Sequence, residues 1–363
     1  MDNENNMLNL DEYIRQSEPA QRERGQIWQT AIGLQQVDGL KTSDYLLQTA
    51  RQHIEGEISI KEANRLINTY YQTAQTRHNQ ESEDTEEGDK VSVRITELLA
   101  EKAFTFSPSQ LTAIHKHLFS GIYKFAGKIR DYNITKKEWV LNGDTVFYAG
   151  ADMIRETLNY DFLQEKNFDY SGVNISDAIS HLVRFCSNIW QIHPFGEGNT
   201  RTTAVFMIKY LHTLGFDVNN DIFAHHSWYF RNALVRANYT NVIKGISFDT
   251  SFLERFFRNM LLDEQNPLQN REMHIEWEKT SDAQSAIQSA ISTSELPPKC
   301  KNCTLEEIAV LKLIQHNNRI TQKEIAQKIG KSERTVKSIT IRLTENGILI
   351  RQNGKRNGFW EIQ

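Results

Sequence analysis

The sequence predicts a mainly α-helical chain of more than one domain, with β structure confined to one hairpin near its middle and one at its end. Three observations predict it. Apolar residues recur at helical spacing through most of residues 1–262. β-rich runs stand only on either side of Asn142-Gly143 and near the C-terminus. Composition changes at an acidic run, 81–89, and at a Ser-, Gln- and Pro-rich stretch, dividing the chain into 1–89, 90–262, a linker 263–302, and 303–363.

The bulk numbers set limits. With 363 residues, 39% of them hydrophobic, the chain can bury a sizeable core and is too long for one ordinary domain. A net charge of −4 excludes a protein that coats nucleic acid with its whole surface, while a local basic patch stays open. Three cysteines, Cys186, Cys300 and Cys303, are too few for a disulfide framework. The opening MDNENNMLNLDEYIRQ has neither the basic nor the apolar part of a signal peptide, and no apolar run reaches the ~20 residues of a membrane span. The expectation is a cytoplasmic protein with no membrane contact.

Residues 1–89 read as short helices punctuated by Asp38-Gly39, Thr42-Ser43, Gly56 and Ser59, with Ser59…Glu62 in the form of a capping box. The acidic run ESEDTEEGD at 81–89 reads as a solvated loop. In 90–262, Ile114, Leu118 and Ile122 mark one helix, Ile179, Leu182, Val183, Cys186 and Ile189 a second, and TTAVFMIKYLHTLGF a third that ends near Gly215. YNITKKEWVLNGDTVFYAG, 132–150, has β-rich arms about Asn142-Gly143 and predicts a hairpin.

Between the second and third of these helices lies His193-Pro-Phe-Gly-Glu197-Gly-Asn-Thr-Arg201-Thr-Thr-Ala204. Pro194, Gly196 and Gly198 break one helix and allow a tight loop into the N-terminus of the next, where unpaired N–H groups attract anions. Arg201 adds a fork for phosphate oxygens, Glu197 a ligand for a divalent cation, and His193 a base active near neutral pH. Singly, each has a bland explanation as a cap or a surface pair. Together they form a constellation for phosphoryl or nucleotidyl transfer.

HPFGEGNTRT resembles the signature loop of the Fic family, His-x-Phe-x-Asp/Glu-Gly-Asn-Gly, and the resemblance covers roughly 90–262. It implies a helical Fic domain in which His193 deprotonates a target Ser, Thr or Tyr, Phe195 anchors the loop, and Glu197 holds Mg²⁺. It further implies that Gly196, Gly198, Asn199, Thr200 and Arg201 cradle the phosphates of ATP. The hairpin at 132–150 resembles the family's flap, which pairs with an extended segment of the target protein; Ile134, Lys136, Lys137, Val146 and Phe147 are its core candidates, and the preceding Gly127–Asp131 also resembles family sequence. The segment 227–239 falls where the family's adenine-side helix lies, which nominates Asn232 and Tyr239; Tyr229, Phe230, Leu234 and Val235 read equally as core. Two positions depart from the pattern: Ala204 stands where a second Arg is common, and Thr200 replaces a Gly.

Residues 34–59 resemble the small antitoxins that silence Fic toxins, in Leu34-Gln-Gln-Val-Asp38-Gly39 and Gly56-Glu57-Ile58-Ser59. The resemblance implies a toxin–antitoxin pair fused in one chain, with Asp38 in place of the inhibitory Glu and Glu55 as a second candidate. The Arg which that residue would engage is the one replaced by Ala204, so the pairing expected from the resemblance lacks its partner.

In 303–363 a helical stripe (Ile308, Val310, Leu311, Ile314), a helix capped by Thr321 and ended by Gly330, a helix capped by Ser332 and ended by Gly347, and two β runs follow in order. Three helices and a hairpin make a winged helix-turn-helix whose recognition helix is 332–345. From Arg319 to Arg356 there are ten Lys or Arg and three Glu, which suits DNA phosphates. Lys331, Arg334, Lys337, Lys355 and Arg356 are the candidate DNA contacts, and a protein-binding winged helix is the alternative. Cys300 and Cys303 read as linker cysteines, because one CxxC cannot complete a zinc site.

The expected activity is a protein adenylyltransferase that moves AMP from ATP to a hydroxyl of another protein or of itself. The alternatives are another nucleotide, removal of AMP, or a DNA-binding regulator whose Fic domain senses nucleotide without catalysis.

Overall fold

A computed structural model of the protein describes residues 10, 13–73, 80–171, 173–216, 218, 222–277, 305–329, 331–352 and 358–363. Lys355, Arg356, Cys300 and Cys303 lie outside the described residues. The chain divides into two compact units, Met1–His274 and Ile275–Gln363.

The first unit is helical. α1 (Pro19–Gly33) starts at a proline, where a missing N–H does no harm, and its last turn runs into a 3-10 turn, Leu34–Asp38, closed by Gly39 in the left-handed region. α2 (Asp44–Glu55) and α3 (Ile60–Gln72) are each capped by a serine, Ser43 and Ser59, that accepts a first-turn N–H. Half of the capping box expected at Ser59 forms, since the Glu62 carboxylate turns to Arg65 instead. Trp28, Leu46, Ile54 and Ile67 pack these three helices together.

α4 (Gln80–Ala100) corrects the reading of 81–89 as loop. Carboxylates suit the first turns of a helix, where the dipole is positive. Glu86 pairs with Lys90 one turn on, and Gly88 admits the backbone of Lys41, which a Cβ would meet at 2.6 Å. Asp89 is fully buried and accepts the N–H and hydroxyl of Ser43 at 2.9 and 2.5 Å and the hydroxyl of Tyr71 at 2.7 Å, tying α4 to α2 and α3.

Burial pushes the Asp89 carboxyl up to about 6, against the lowering effect of those donors. Between roughly pH 4 and pH 6 the folded chain therefore holds a proton that the unfolded chain, with an Asp pKa of ~3.9, has lost. The contribution of Asp89 to stability falls as pH rises through that window. Thermal melting across pH 4–7 should show this slope in the native chain and lose it in Asp89→Asn.

α5 (Pro108–Phe119), α6 (Ile154–Asn167), α7 (Ile175–Ile192) and α8 (Asn199–Thr213) surround an aromatic core of Phe106, Phe162, Phe185, Phe206 and Tyr210. α9 (Ile222–Ala237) and α10 (Ser251–Leu262) close the unit. α1 meets α9 at Gly33, where a Cβ would stand 2.4 Å from the Ala224 Cα, and Ser227 donates to the Gly33 carbonyl at 2.6 Å. This contact carries the Leu34–Asp38 turn onto the start of α8. The expected linker begins later than residue 263: Asn270–Met273 forms a 3-10 turn with Met273 buried, and Asn270 accepts from the Asn232 amide.

In the second unit α11 (Leu305–His316), α12 (Gln322–Ile329) and α13 (Glu333–Glu345) precede β1 (Leu349–Gln352) and β2 (Phe359–Ile362). The strands pair antiparallel, Leu349 opposite Ile362 and Gln352 opposite Phe359. Val310, Ile325, Val336, Leu343 and Trp360 form its core. Thr321 and Glu324 complete a reciprocal capping box, and Ser332 caps α13. The result is the expected winged helix-turn-helix.

Candidate functional site

α7 ends because His193 takes the left-handed conformation, φ 50°, rare outside glycine and tolerated by His better than by β-branched residues. The loop that follows is held from three sides. Arg130 donates from Nε to the His193 carbonyl at 2.8 Å and from its Nη atoms to the carbonyls of Tyr132 and Ala149, while its own N–H bonds the Pro194 carbonyl at 2.9 Å. His115 stacks on Phe195 with ring centroids 3.8 Å apart. Its Nδ1 accepts from the Gly127 N–H at 2.8 Å, so Nε2 carries the proton and donates to the Glu197 carbonyl at 3.0 Å. Burial lowers the His115 pKa to about 4, which keeps the ring neutral. Asn199 accepts from the Phe195 N–H and donates to the Phe195 carbonyl, closing the loop on itself.

Sequence reasoning missed Arg130 and His115 as site residues. The Gly127–Asp131 resemblance pointed at the right segment, but a donor whose partners are loop carbonyls leaves no periodic trace. Asn199, expected at the phosphates, is a loop staple. Thr200 accepts from Trp190 Nε1 at 2.9 Å, so the side chain that replaces the usual Gly turns inward. Gly198, at φ 75°, is required: a Cβ there would stand 2.4 Å from the Phe119 ring. Gly196 faces the Tyr132 hydroxyl, which a Cβ would meet at 2.7 Å.

His193 itself is 3% exposed, under the Tyr148 ring at 4.3 Å. Its Nδ1 lies 3.3 Å from the Trp190 carbonyl, which can only accept, so the proton sits on Nδ1. Nε2 is buried with no partner among the described residues. Burial, and next the charge of Lys136, hold its pKa well below the usual imidazole value. The site therefore presents a neutral imidazole with an unused lone pair.

Two charged residues of the loop are occupied. Lys136 Nζ lies 2.6 Å from the Glu197 carboxylate, whose side chain is 53% exposed. An ammonium there marks a place that favours a cation. Among the described residues no three His, Cys, Asp or Glu gather into a metal cage, so a cation at Glu197 would complete its shell with phosphate oxygens and water, the habit of Mg²⁺.

Arg201, 1% exposed, is surrounded. Its Nε lies 2.8 Å from Asp38 as an ion pair without hydrogen-bond alignment, while one Nη donates to Gln35 Oε1 at 3.0 Å and the other to Glu87 Oε1 at 2.6 Å. Phe119 lies beneath the guanidinium at 4.8 Å, and the Tyr123 hydroxyl donates to the same Glu87 oxygen. Asp38 thus engages the loop's first Arg, not the position held by Ala204, where the resemblance placed its partner. Glu55 is elsewhere, on the exposed end of α2 with Gln21.

The segment 132–150 follows the course of a hairpin without a strand ladder. Its arms join through Lys136 N–H to Thr145 Oγ1 and Glu138 N–H to the Asp144 carbonyl, and its tip is a 3-10 turn, Trp139–Leu141, ended by Asn142 at φ 53°. Val146 is buried, Ile134 and Lys136 half-buried, Lys137 exposed, and Phe147 81% exposed. Glu138 is buried on Arg231 at 2.8 Å, which locks the near arm inward. The Tyr239 hydroxyl donates to Asp144 at 2.7 Å and the Asn232 amide to Asn270 at 2.8 Å, so both adenine-side candidates end on protein partners. On α13, Arg334 and Lys337 are exposed, with Lys331 exposed just before it.

Residues 105–211 match the model of the Fic/DOC family, and residues 307–350 match that of the winged helix-turn-helix DNA-binding domains. The chain is 23% identical over 216 residues to a protein named protein adenylyltransferase VbhT from Bartonella schoenbuchensis. That match spans 56% of this chain and 43% of the relative, less than half the relative's length. A solved Fic family protein from Desulfovibrio desulfuricans G20 superimposes with a TM-score of 0.41 at 12% identity, over 99% of this chain and 96% of that one. No described helix is long and apolar enough to cross a membrane.

Proposed function

We propose that the Fic/DOC domain of this chain transfers AMP from ATP to a Ser, Thr or Tyr hydroxyl of a protein, and that Leu34–Asp38 holds it in check. The observation that carries the reading is the buried, unpartnered Nε2 of a neutral His193 at the head of the loop that carries Glu197 and leads into the N-terminus of α8 and Arg201. His193 Nε2 takes the proton of the target hydroxyl as its oxygen attacks the α-phosphorus. The bond from that phosphorus to the bridging oxygen breaks, and pyrophosphate leaves. Glu197 would hold Mg²⁺ once Lys136 releases it, and the metal when bound neutralises phosphate charge. Arg201 would take a non-bridging oxygen in exchange for Asp38 and Glu87. Tyr148 must swing from His193 for the target to enter, which assigns gating to the flap.

The test is incubation of the full chain with ATP and Mg²⁺, followed by intact mass and transfer of α-labelled phosphate to added proteins. A gain of one AMP, lost in Glu197→Gln, is expected. Labelled GTP, UTP or CTP as the better donor would revise the nucleotide, and release of AMP from a modified protein would reverse the direction.

The winged helix supports a second role, contact with DNA phosphates. Lys331, Arg334 and Lys337 are exposed on and beside α13. The slope of log affinity against log salt on duplex DNA should fall by about 0.9 for each of these that touches a phosphate when it is changed to Ala. A slope unchanged in the triple variant would assign the domain to protein contacts.

A further inference from the structure

On the far side of the catalytic domain from His193's loop, at the C-terminal end of α8, a cavity of about 420 Å³ opens between α1, the end of α4 and α8. Its wall is part apolar, from Ile27, Leu99, Phe104, Ile208 and Val218, and part polar, from Gln26, Thr30 and Thr213. Glu23, Glu101, Lys102 and His212 stand at the rim, exposed to water. Lys209 lines it too and is 4% exposed.

Lys209 Nζ donates to the carbonyls of Leu98 and Glu101 at 2.6 and 2.7 Å, capping the end of α4. An ammonium has three donors, and those two carbonyls take two of them. No carboxylate lies within ion-pair distance of Lys209 among the described residues. Burial lowers its pKa, and the charge of the Glu101 carboxylate offsets part of that shift. The helix end offsets part of that charge. A buried cation facing a cavity is otherwise expensive unless an anion meets it.

We propose that this cavity binds a small carboxylate with an apolar body, its carboxylate on Lys209 and its body against Ile27, Phe104 and Val218. The size is within the range of small-ligand pockets. The cavity joins the two helices whose other ends meet at the site: α1 runs into Asp38, and α8 begins at Asn199 and carries Arg201. A ligand wedged there shifts α1 against α8, so the site is an effector site for the Asp38–Arg201 contact. This second step rests on the function proposed above; the binding step does not.

The probe is octanoate, titrated calorimetrically into the full chain. Saturable binding by the native chain, weakened about tenfold or more in Lys209→Met and in Ala100→Phe, is expected, since a buried charge-assisted contact or the cavity volume is lost. Ala100 is exposed at the mouth, so its variant reads the cavity even if Lys209→Met unfolds α4's end. No binding by the native chain, or equal binding by Ala100→Phe, overturns the site. ATP titrated with and without saturating octanoate reads the coupling. An ATP affinity that octanoate leaves unchanged overturns the effector role, whereas a chain that binds octanoate but no ATP, even as Asp38→Ala, sinks the transferase reading and leaves the cavity site standing.

Discussion

Replacing His193 with alanine should lower AMP transfer by about 10²–10⁴-fold while leaving ATP affinity nearly unchanged. The imidazole contributes a lone pair aimed away from Trp190, not a charge, because burial keeps it neutral. A neutral base has no phosphate to attract, so its loss removes proton transfer and little binding. The pH profile follows with a fixed sign. A His of ordinary pKa, ~6.5, would lose half its basic form there as pH falls. With His193 held well below that value, transfer should stay level as pH drops through the ordinary imidazole range and decline only beneath it. Labelled transfer by the native chain at pH 5.5–8, beside ATP titration of His193→Ala, checks both. A midpoint near 6.5 would mean that the pocket opens to water before chemistry. Loss of ATP binding with His193→Ala would mean that the side chain supports the loop instead of acting as base.

How much of this was legible in the sequence depends on the range of the interactions involved. The serine caps, the winged helix and most helices follow from spacing and local side-chain chemistry, while Ile122 falls past the end of α5 and the acidic run proves helical. His193, Glu197 and Arg201 lie on one short loop and the start of the helix it feeds, so their shared element was also legible. What Arg201 touches was not. Asp38, Gln35 and Glu87 lie far from it in sequence and arrive on two other helical elements through the Gly33–Ala224 approach and the Asp89–Ser43 tie. The acidic run illustrates the same limit. As composition it reads as solvated loop. Once α4 is docked, Glu87 becomes a ligand of Arg201 and Asp89 an anchor, which no local rule foresees. The flap arms look β-like because their alternation is real, yet the Glu138–Arg231 contact bends the near arm inward where a ladder would otherwise form.

Asp38→Ala should raise the apparent affinity for ATP by about 10–100-fold, the value of one charge-assisted contact of ~1.5–3 kcal/mol that a phosphate no longer has to displace. The reasoning starts from the count of partners. Two carboxylates meet one guanidinium that is 1% exposed, so the place a phosphate needs is filled by negative charge. On the function proposed above, this contact would leave only a fraction of chains competent to bind, and the measured affinity would be the intrinsic one scaled by that fraction. Asp38→Asn should recover most of the effect, because charge and not volume is at issue. Glu87→Gln should act in the same direction. The double variant should gain less than the product of the two, since losing either carboxylate already frees most of the chains and the second loss has little left to release. Calorimetric titration of ATP with Mg²⁺ against the four chains reads this cycle, and labelled transfer should rise in step. Strict additivity would assign Glu87 a separate task, such as ordering Tyr123. An unchanged affinity in Asp38→Ala would show that the Leu34–Asp38 turn packs beside the site without restraining it.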